Sequence, residues 1–311
     1  VSKAATTLRP GIHLDIAAAD YFADPCPSPS FTQSIGKLLI DRSPAHARLA
    51  HPRLNPDFDP DDATKYDIGN IAHRLLIGRG KELAVIEADD WRTKAAKEAR
   101  EQAAAEGKLG VLAKHYETGL AMEKAARTQL IERGHADAFR EGHGEVVLVW
   151  QEPAGFYCRT MIDWMESLAL CWDYKTTSTS AAPQAVSNRL FDGGWDIQAA
   201  MHERGLDALD PENRGRRRFR YVLQEAEPPY ALTVSEITEA VLTMGRRRLE
   251  YAMALWNECL TRNSWPGYPR ELLRPEYPSF AETKWLDREV QEAERSGNWG
   301  VGELVRPAEV G

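Results

Sequence analysis

Paired cysteines are missing from this chain. Cys26, Cys158, Cys171 and Cys259 are scattered over 311 residues with no CxxC spacing. A disulfide framework or a zinc ribbon needs closer, paired spacing, and an iron–sulfur cluster needs clustered thiolates. Reduced structural thiols are expected instead. Also missing is any apolar run near the ~18 residues of a membrane span, and the N-terminus has no apolar signal core. A soluble, cytoplasmic protein without membrane contact is the expectation. Excess positive charge is lacking too. The formal net charge is −8, which argues against a generic nucleic-acid coat. No internal repeat and no coiled-coil period is present.

The hydrophobic fraction of 43% is ordinary for a globular chain. Basic residues number 39 against 47 acidic ones, and some are tightly clustered. "RGRRRFR" places Arg214, Arg216, Arg217, Arg218 and Arg220 within seven residues, and "GRRR" adds Arg246, Arg247 and Arg248. Such islands in an acidic protein suit either a phosphate-binding stripe or a solvated charged face.

Residues 1–30 are Ala- and Pro-rich without a period. Residues 28–49 read as a helix capped near Ser30 and stopped at Ser43-Pro44. Residues 51–65, with three prolines and four aspartates, read as a loop. Residues 66–80 carry Ile68, Ile71, Ala72, Leu75 and Leu76 at helical spacing, ending at glycines. Residues 89–134 fit one or two further helices, broken by Gly107 and Gly110. Residues 145–163 contain two β-rich runs around the turn Glu152-Pro153-Ala154-Gly155, and residues 168–177 form another apolar run. Residues 195–209 return to helical spacing, 219–237 hold two strands around a Pro-Pro turn, and 238–262 read as a long helix. The last ~45 residues read as an irregular tail packed onto the body. The order predicts a mixed sheet flanked by helices, of α/β (α+β) class. The economical division is one domain over 1–311: a mainly helical N-terminal region over 1–140, a core over 141–265 and the tail over 266–311.

The stretch "MIDWMESLALCWDYKTT" places charge inside apolar runs. Asp163 closes one run, and Asp173 and Lys175 end the next. With a three-residue turn centred on Leu168, Asp163 opposes Asp173, and opposed residues share a face with Cβ atoms about 5 Å apart. Asp173 and Lys175 then point the same way, with Trp172 and Tyr174 on the other face. A tighter turn at Glu166-Ser167 moves the carboxylates three residues out of register, roughly 10 Å. Two carboxylates so close repel unless a cation sits between them. Hard oxygen ligands without cysteine favour Mg²⁺ or Mn²⁺. A neighbouring ammonium can hydrogen-bond an attacking water and offset charge growing on phosphorus. The set suits metal-dependent phosphodiester hydrolysis. The bare acid-x-Lys pattern also occurs at Glu106-Gly107-Lys108 and Glu282-Thr283-Lys284, both outside β-rich segments. A partly exposed Asp–Lys pair at a sheet edge is the competing reading.

"RTMID…CWDYKTT" resembles the PD-(D/E)xK nuclease motif. With "SPSFTQSIGKLLIDRSPAH", "YDIGNIAHRLLIGRG", "WDIQAAMHERG", "QEAEPPYALTVSEI" and "SWPGYP" in order, residues 11–268 resemble the exonuclease VIII (RecE-type) nuclease domain of phages and prophages. That resemblance implies a restriction-endonuclease-like core and a Mg²⁺-dependent exonuclease acting on double-stranded DNA ends. It also implies metal ligation by His73, Asp163, Asp173 and the Tyr174 carbonyl, with Lys175 positioning water and Gln198 near the scissile region. The family's usual Tyr after that Gln is His202 here, which leaves that position's role open. Glu145 reads as a further carboxylate or as an exposed strand-start residue. Thr176 and Thr177 read as strand formers or phosphate-binding hydroxyls, and the five arginines at 214–220 as phosphate contacts. A ring-forming homo-oligomer and a single-strand annealing partner are further implications. The rivals are an endonuclease or single-strand nuclease on the same fold, a DNA-binding module without catalysis, and a metal-independent helical scaffold.

Overall fold

Ten helices and nine strands of a computed structural model describe residues 7–58 and 68–296. The chain divides into two units, Val1–Tyr268 and Pro269–Gly311. The first contains a mixed seven-stranded sheet. Its strands are β1 (Gly11–His13), β2 (Ser30–Phe31), β5 (His143–Gln151), β6 (Tyr157–Ser167), β7 (Leu170–Thr177), β8 (Arg218–Glu225) and β9 (Leu232–Glu236). They lie in the order β1-β5-β6-β7-β8-β9, with β2 parallel on β6. The β5-β6-β7 meander is antiparallel, β7 and β8 are parallel, and β9 closes the edge antiparallel to β8. The parallel pair needs a crossover. It is made by α7 (Pro183–Gly193) and α8 (Trp195–Leu209).

One face of the sheet carries α8, with α9 (Glu239–Arg262) and α2 (Gln33–Asp41) beyond it, over a core that includes Phe31, Trp150, Trp195, Tyr221 and Trp256. Because α8 is sandwiched between sheet and helix, it is buried nearly all round. Two of its charges are paired across to α9: Asp196 with Arg248 at 2.9 Å and Glu203 with Arg246 at 2.6 Å. The crossing is close at Gly245, where an added Cβ would meet the Asp196 carbonyl at 2.1 Å. The other face carries α4 (Ile68–Ile77) and α6 (Ala113–Glu132) over Leu76, Met122, Trp164, Trp172 and Tyr174. A two-stranded parallel sheet, β3 (Leu83–Ile86) with β4 (Leu109–Leu112), is bridged by α5 (Lys94–Ala105).

The N-terminal segment, with the short α1 (Ala18–Phe22), is tied to β6 by a buried polar network. The Asp24 carboxylate accepts from Ser30 N at 2.9 Å and Ser30 Oγ at 2.7 Å and pairs with Arg159 at 2.9 Å. His51 donates from Nε2 to the Ser30 carbonyl and accepts the Arg53 N–H at Nδ1, the pattern of a neutral ring.

Several sequence expectations shift. The helix expected to stop at Ser43-Pro44 does stop there, as α2, but Thr32 and not Ser30 caps it by accepting from Ile35 N, and residues 44–49 form a second helix, α3 (Pro44–Leu49), with Pro44 as a first-turn proline. The loop expected at 51–65 and the helix start at Tyr66 lie partly outside the described residues. The Gly107–Gly110 break holds β4, whose short apolar run is too brief for a periodicity signal. The expected irregular tail holds over 266–278, but α10 (Ser279–Ser296) stands within it in the second unit, and residues 297–311 lie outside the described residues. All four cysteines are free and buried. Among the described residues no helix is long and apolar enough to cross a membrane.

Candidate active site

The β6–β7 hairpin decides where the acids stand. Its turn is two residues, Leu168-Ala169, tighter than the expected three-residue turn, with Ser167 opposite Leu170. A bulge at Glu166 then restores the longer register, so that Met165 opposes Cys171 and Trp164 opposes Trp172. Continued by one residue, that register sets Asp163 against Asp173. Trp164 and Trp172 share one core, Met165 and Cys171 the other. Asp173 follows the second pair and meets Gln198 of α8, whereas Asp163 meets His73 of α4.

Side-chain alternation along β6 fails at Asp163. Ile162 and Met165, three residues apart, enter the same core. Opposite this point on β5, Glu145 has a left-handed backbone, φ 53°, a conformation that costs a non-glycine residue on the order of 1–3 kcal/mol. The ladder gives way to side chains here: the Tyr174 N–H donates to Asp163 Oδ2 at 3.1 Å.

Four groups surround the acid pair. His73, on α4 beside the buried Ile71, Ala72 and Leu76, puts Nε2 3.3 Å from Asp163 Oδ2. Lys175, two residues along β7 from Asp173, puts Nζ 2.5 Å from Asp173 Oδ1. Gln198, from the first turns of α8, donates Nε2 to Asp173 Oδ2 at 2.7 Å. Tyr174 contributes main chain only, since its ring is buried on the opposite face with its hydroxyl donating to Gln224 Oε1 at 2.5 Å. His73, Asp163, Asp173, Lys175 and Gln198 are thus linked in one cluster.

The electrostatics split the two acids. Burial alone would raise the Asp163 carboxyl, but Lys175, His73 and the Tyr174 N–H hold it far below the usual carboxylate range. Burial, reinforced by the neighbouring charge of Asp163, pushes Asp173 up to about 6 despite Lys175. For His73 burial lowers the pKa, and contact with Asp163 more than reverses this, so the ring is held protonated above its ordinary range. Lys175 likewise loses to burial and gains more from Asp173 and Asp163; its ammonium is firmly charged. Glu145 is raised, chiefly by burial and also by Asp163, with His73 opposing. It stands in the field of the cluster.

Among the described residues no three His, Cys, Asp or Glu side chains stand in a ready metal-holding arrangement. His73 and Lys175 face the carboxylates instead. The donor set nevertheless fits a hard divalent cation. It has two carboxylates and an imidazole, and the buried Asp173 Oδ1 accepts no hydrogen bond apart from its ion contact with Lys175.

The other predicted positions separate. Arg217 is buried, held by Asp207 at 2.8 Å, by Asp210 and by the Leu206 and Leu168 carbonyls. It is a structural staple and cannot reach a phosphate. Arg220 pairs with Glu236 at 2.7 Å and covers the Trp172 ring, on the face away from the acids. Arg214 leans toward Asp207 at 3.5 Å, and Arg216 and Arg218 are exposed at the same end of β8. Thr177 is buried and folds the next turn by accepting from Thr179 N at 3.1 Å, while Thr176 faces a groove beside Lys175. His202 is buried one turn after Gln198, its Nδ1 2.9 Å from the Thr160 hydroxyl and its Nε2 unpartnered; burial lowers it to about 3. Sequence reasoning missed α7, whose Asn188 and Arg189 line that same groove. Only Val186 of α7 is buried, so no apolar stripe marks it.

A mixed sheet whose antiparallel hairpin presents Asp and Asp-x-Lys beneath a crossover helix has the layout of a PD-(D/E)xK core. The family model of the PDDEXK-like domain of unknown function (DUF3799) matches residues 34–272, and the chain belongs to that family. The crystal structure of a candidate exonuclease from Eubacterium rectale is similar in fold, with a TM-score of 0.54 at 9% identity, covering 87% of this chain and 99% of that one. An alkaline exonuclease from Laribacter hongkongensis aligns with 62% of this chain and 91% of its own at 16% identity, but its TM-score of 0.23 supports no inference. No curated protein matches the chain.

Proposed function

We propose that this chain is a metal-dependent exodeoxyribonuclease that hydrolyses linear double-stranded DNA from its ends. The observation that carries the reading is the meeting of His73, Asp163, Asp173, Lys175 and Gln198 around one hairpin register. Family membership supports the phosphodiesterase chemistry. The choice of DNA ends, a cytoplasmic setting, a ring-forming homo-oligomer and a single-strand annealing partner in phage-type recombination rest on the resemblance to exonuclease VIII.

Asp163, Asp173, the His73 imidazole and the Tyr174 carbonyl would hold Mg²⁺ or Mn²⁺, which supplies Lewis acidity toward a scissile phosphate. His73 has to give up its proton for that role. Lys175 remains an ammonium, so it serves as a hydrogen-bond donor to the attacking water and to the phosphate oxygens, not as a base. Gln198 holds the Asp173 carboxylate in orientation through its amide.

The test compares linear and covalently closed duplexes of one sequence with Mg²⁺ or Mn²⁺. Release of nucleotides from linear DNA only, abolished by chelator and by Asp173→Ala with DNA binding retained, is the expected result. Cutting of the closed circle would replace the reading with an endonuclease. Equal release by Asp173→Ala would remove the site altogether.

A further inference from the structure

A groove of about 620 Å³ opens beside Lys175, between the end of β7 and α7. Its polar lining includes Lys175, Thr176, Thr179, Asn188, Arg189 and the single acid Asp192. It sits at the carboxyl end of a strand in a parallel pair, where crossovers leave room for ligands. Two features organise it. Thr177 folds the post-strand turn through Thr179 N, and the Arg189 guanidinium donates to the Thr179 hydroxyl, so Arg189 is held on the groove wall. Ala185 and Gly193, on the same side of α7, add little bulk.

Arg189 differs from the arginines that carboxylates neutralise, such as Arg204, Arg217, Arg220, Arg246 and Arg248. Among the described residues its bonded partner is a neutral hydroxyl, and Asp192, the groove's one acid, makes no ion pair with it. Hydroxyls, an amide and an unneutralised guanidinium contact phosphate and sugar in a way that carries no base preference.

Resting on the nuclease reading above, we propose that this groove seats the nucleotide next to the scissile phosphate on the cut strand, with Arg189 binding its flanking phosphate. Arg189 is a positioning residue: it fixes the strand's register over Lys175 and touches no reacting atom.

The experiment measures Arg189→Ala and Arg189→Lys beside the wild type in steady-state hydrolysis of linear duplex. Fluorescence anisotropy of DNA binding across a salt series, without divalent metal, accompanies it. Arg189→Ala is expected to raise KM about 10-fold with kcat within about 3-fold, and to reduce the salt slope by about one phosphate contact. Arg189→Lys is expected to recover the salt slope. A substrate with a methylphosphonate at the flanking linkage should cost the wild type the same factor and cost Arg189→Ala nothing more. An unchanged KM and salt slope in Arg189→Ala, or an equal methylphosphonate loss in both proteins, overturns the groove assignment. A wild type that hydrolyses nothing overturns the nuclease reading, while the anisotropy arm still decides whether Arg189 meets a phosphate.

Discussion

Replacing Gln198 with Leu isolates the support of the acid pair. Its amide donates at 2.7 Å to Asp173 Oδ2, and Asp173 is only 4% exposed, so water cannot substitute. A hydrogen bond to a buried charge is worth about 1.5–3 kcal/mol, and about 1.4 kcal/mol corresponds to one pH unit. Losing the donor disfavours the ionised form, so the Asp173 pKa rises by about one to two units from its position near 6. At pH 7 the carboxyl is then largely protonated, and a cation has to displace that proton. The apparent affinity for Mg²⁺ or Mn²⁺ should fall about 10- to 100-fold, the usual cost of removing such a supporting contact. At saturating metal kcat should change little.

The assay is a metal titration of nucleotide release by wild type and Gln198→Leu at pH 7 and again at pH 8.5. Because the deficit comes from proton competition, it should shrink at the higher pH. A titration midpoint that does not move, or a deficit of the same size at both pH values, would refute this account of Asp173.

Two predictions concern stability. Arg217→Ala leaves Asp207 and Asp210 without their buried partner, so it should destabilise by about 3–5 kcal/mol in urea denaturation, whereas a phosphate-contacting arginine would leave stability unchanged. His202 is held neutral by burial, with a folded pKa of about 3 against an ordinary 6.5. The unfolded chain therefore binds the extra proton between those values, and stability present above pH 6.5 is lost as pH falls toward 3. Wild type should lose stability over that window, and His202→Gln should lose less; parallel curves would contradict the assignment.

The hairpin separates what was legible in the sequence from what was not. Apolar runs ending in Asp163 and in Asp173-x-Lys175 announced two strands and a shared face, and the opposed register stands. The turn was misread because a bulge at Glu166 leaves no compositional mark. Residues 195–209 were legible as α8 to the residue, because burial on both sides makes the segment apolar at helical spacing. The arginine run misled for a different reason. Local sequence counts charges but does not say that Asp207 and Asp210 fold back onto Arg217. Nothing near His73 distinguishes it from any helix-borne histidine; only the resemblance singled it out. Its partner Asp163 is ninety residues away, a contact that tertiary packing alone creates.

The break in β6 explains how such a site can exist inside a sheet. A regular strand would send Asp163 and Ile162 to opposite faces, and Asp163, on the side of Met165, would turn toward α8 and away from His73 on α4. Letting Ile162 and Met165 enter the same core, with Glu145 in a left-handed turn opposite, puts Asp163 at a crossover. There one carboxylate oxygen accepts the Tyr174 N–H and pairs with the His73 ring. The two acids are buried together only because two cations, the His73 imidazolium and the Lys175 ammonium, balance them; remove both and the pair could not remain ionised. Of those two, the imidazolium starts from the far lower ordinary pKa, 6.5 against 10.5, and the acids raise both, so the ring is the one that sheds its proton first as pH rises. His73 is thus the group that can exchange a proton for another cation, and Lys175 the charge that stays beside Asp173 to meet a phosphate.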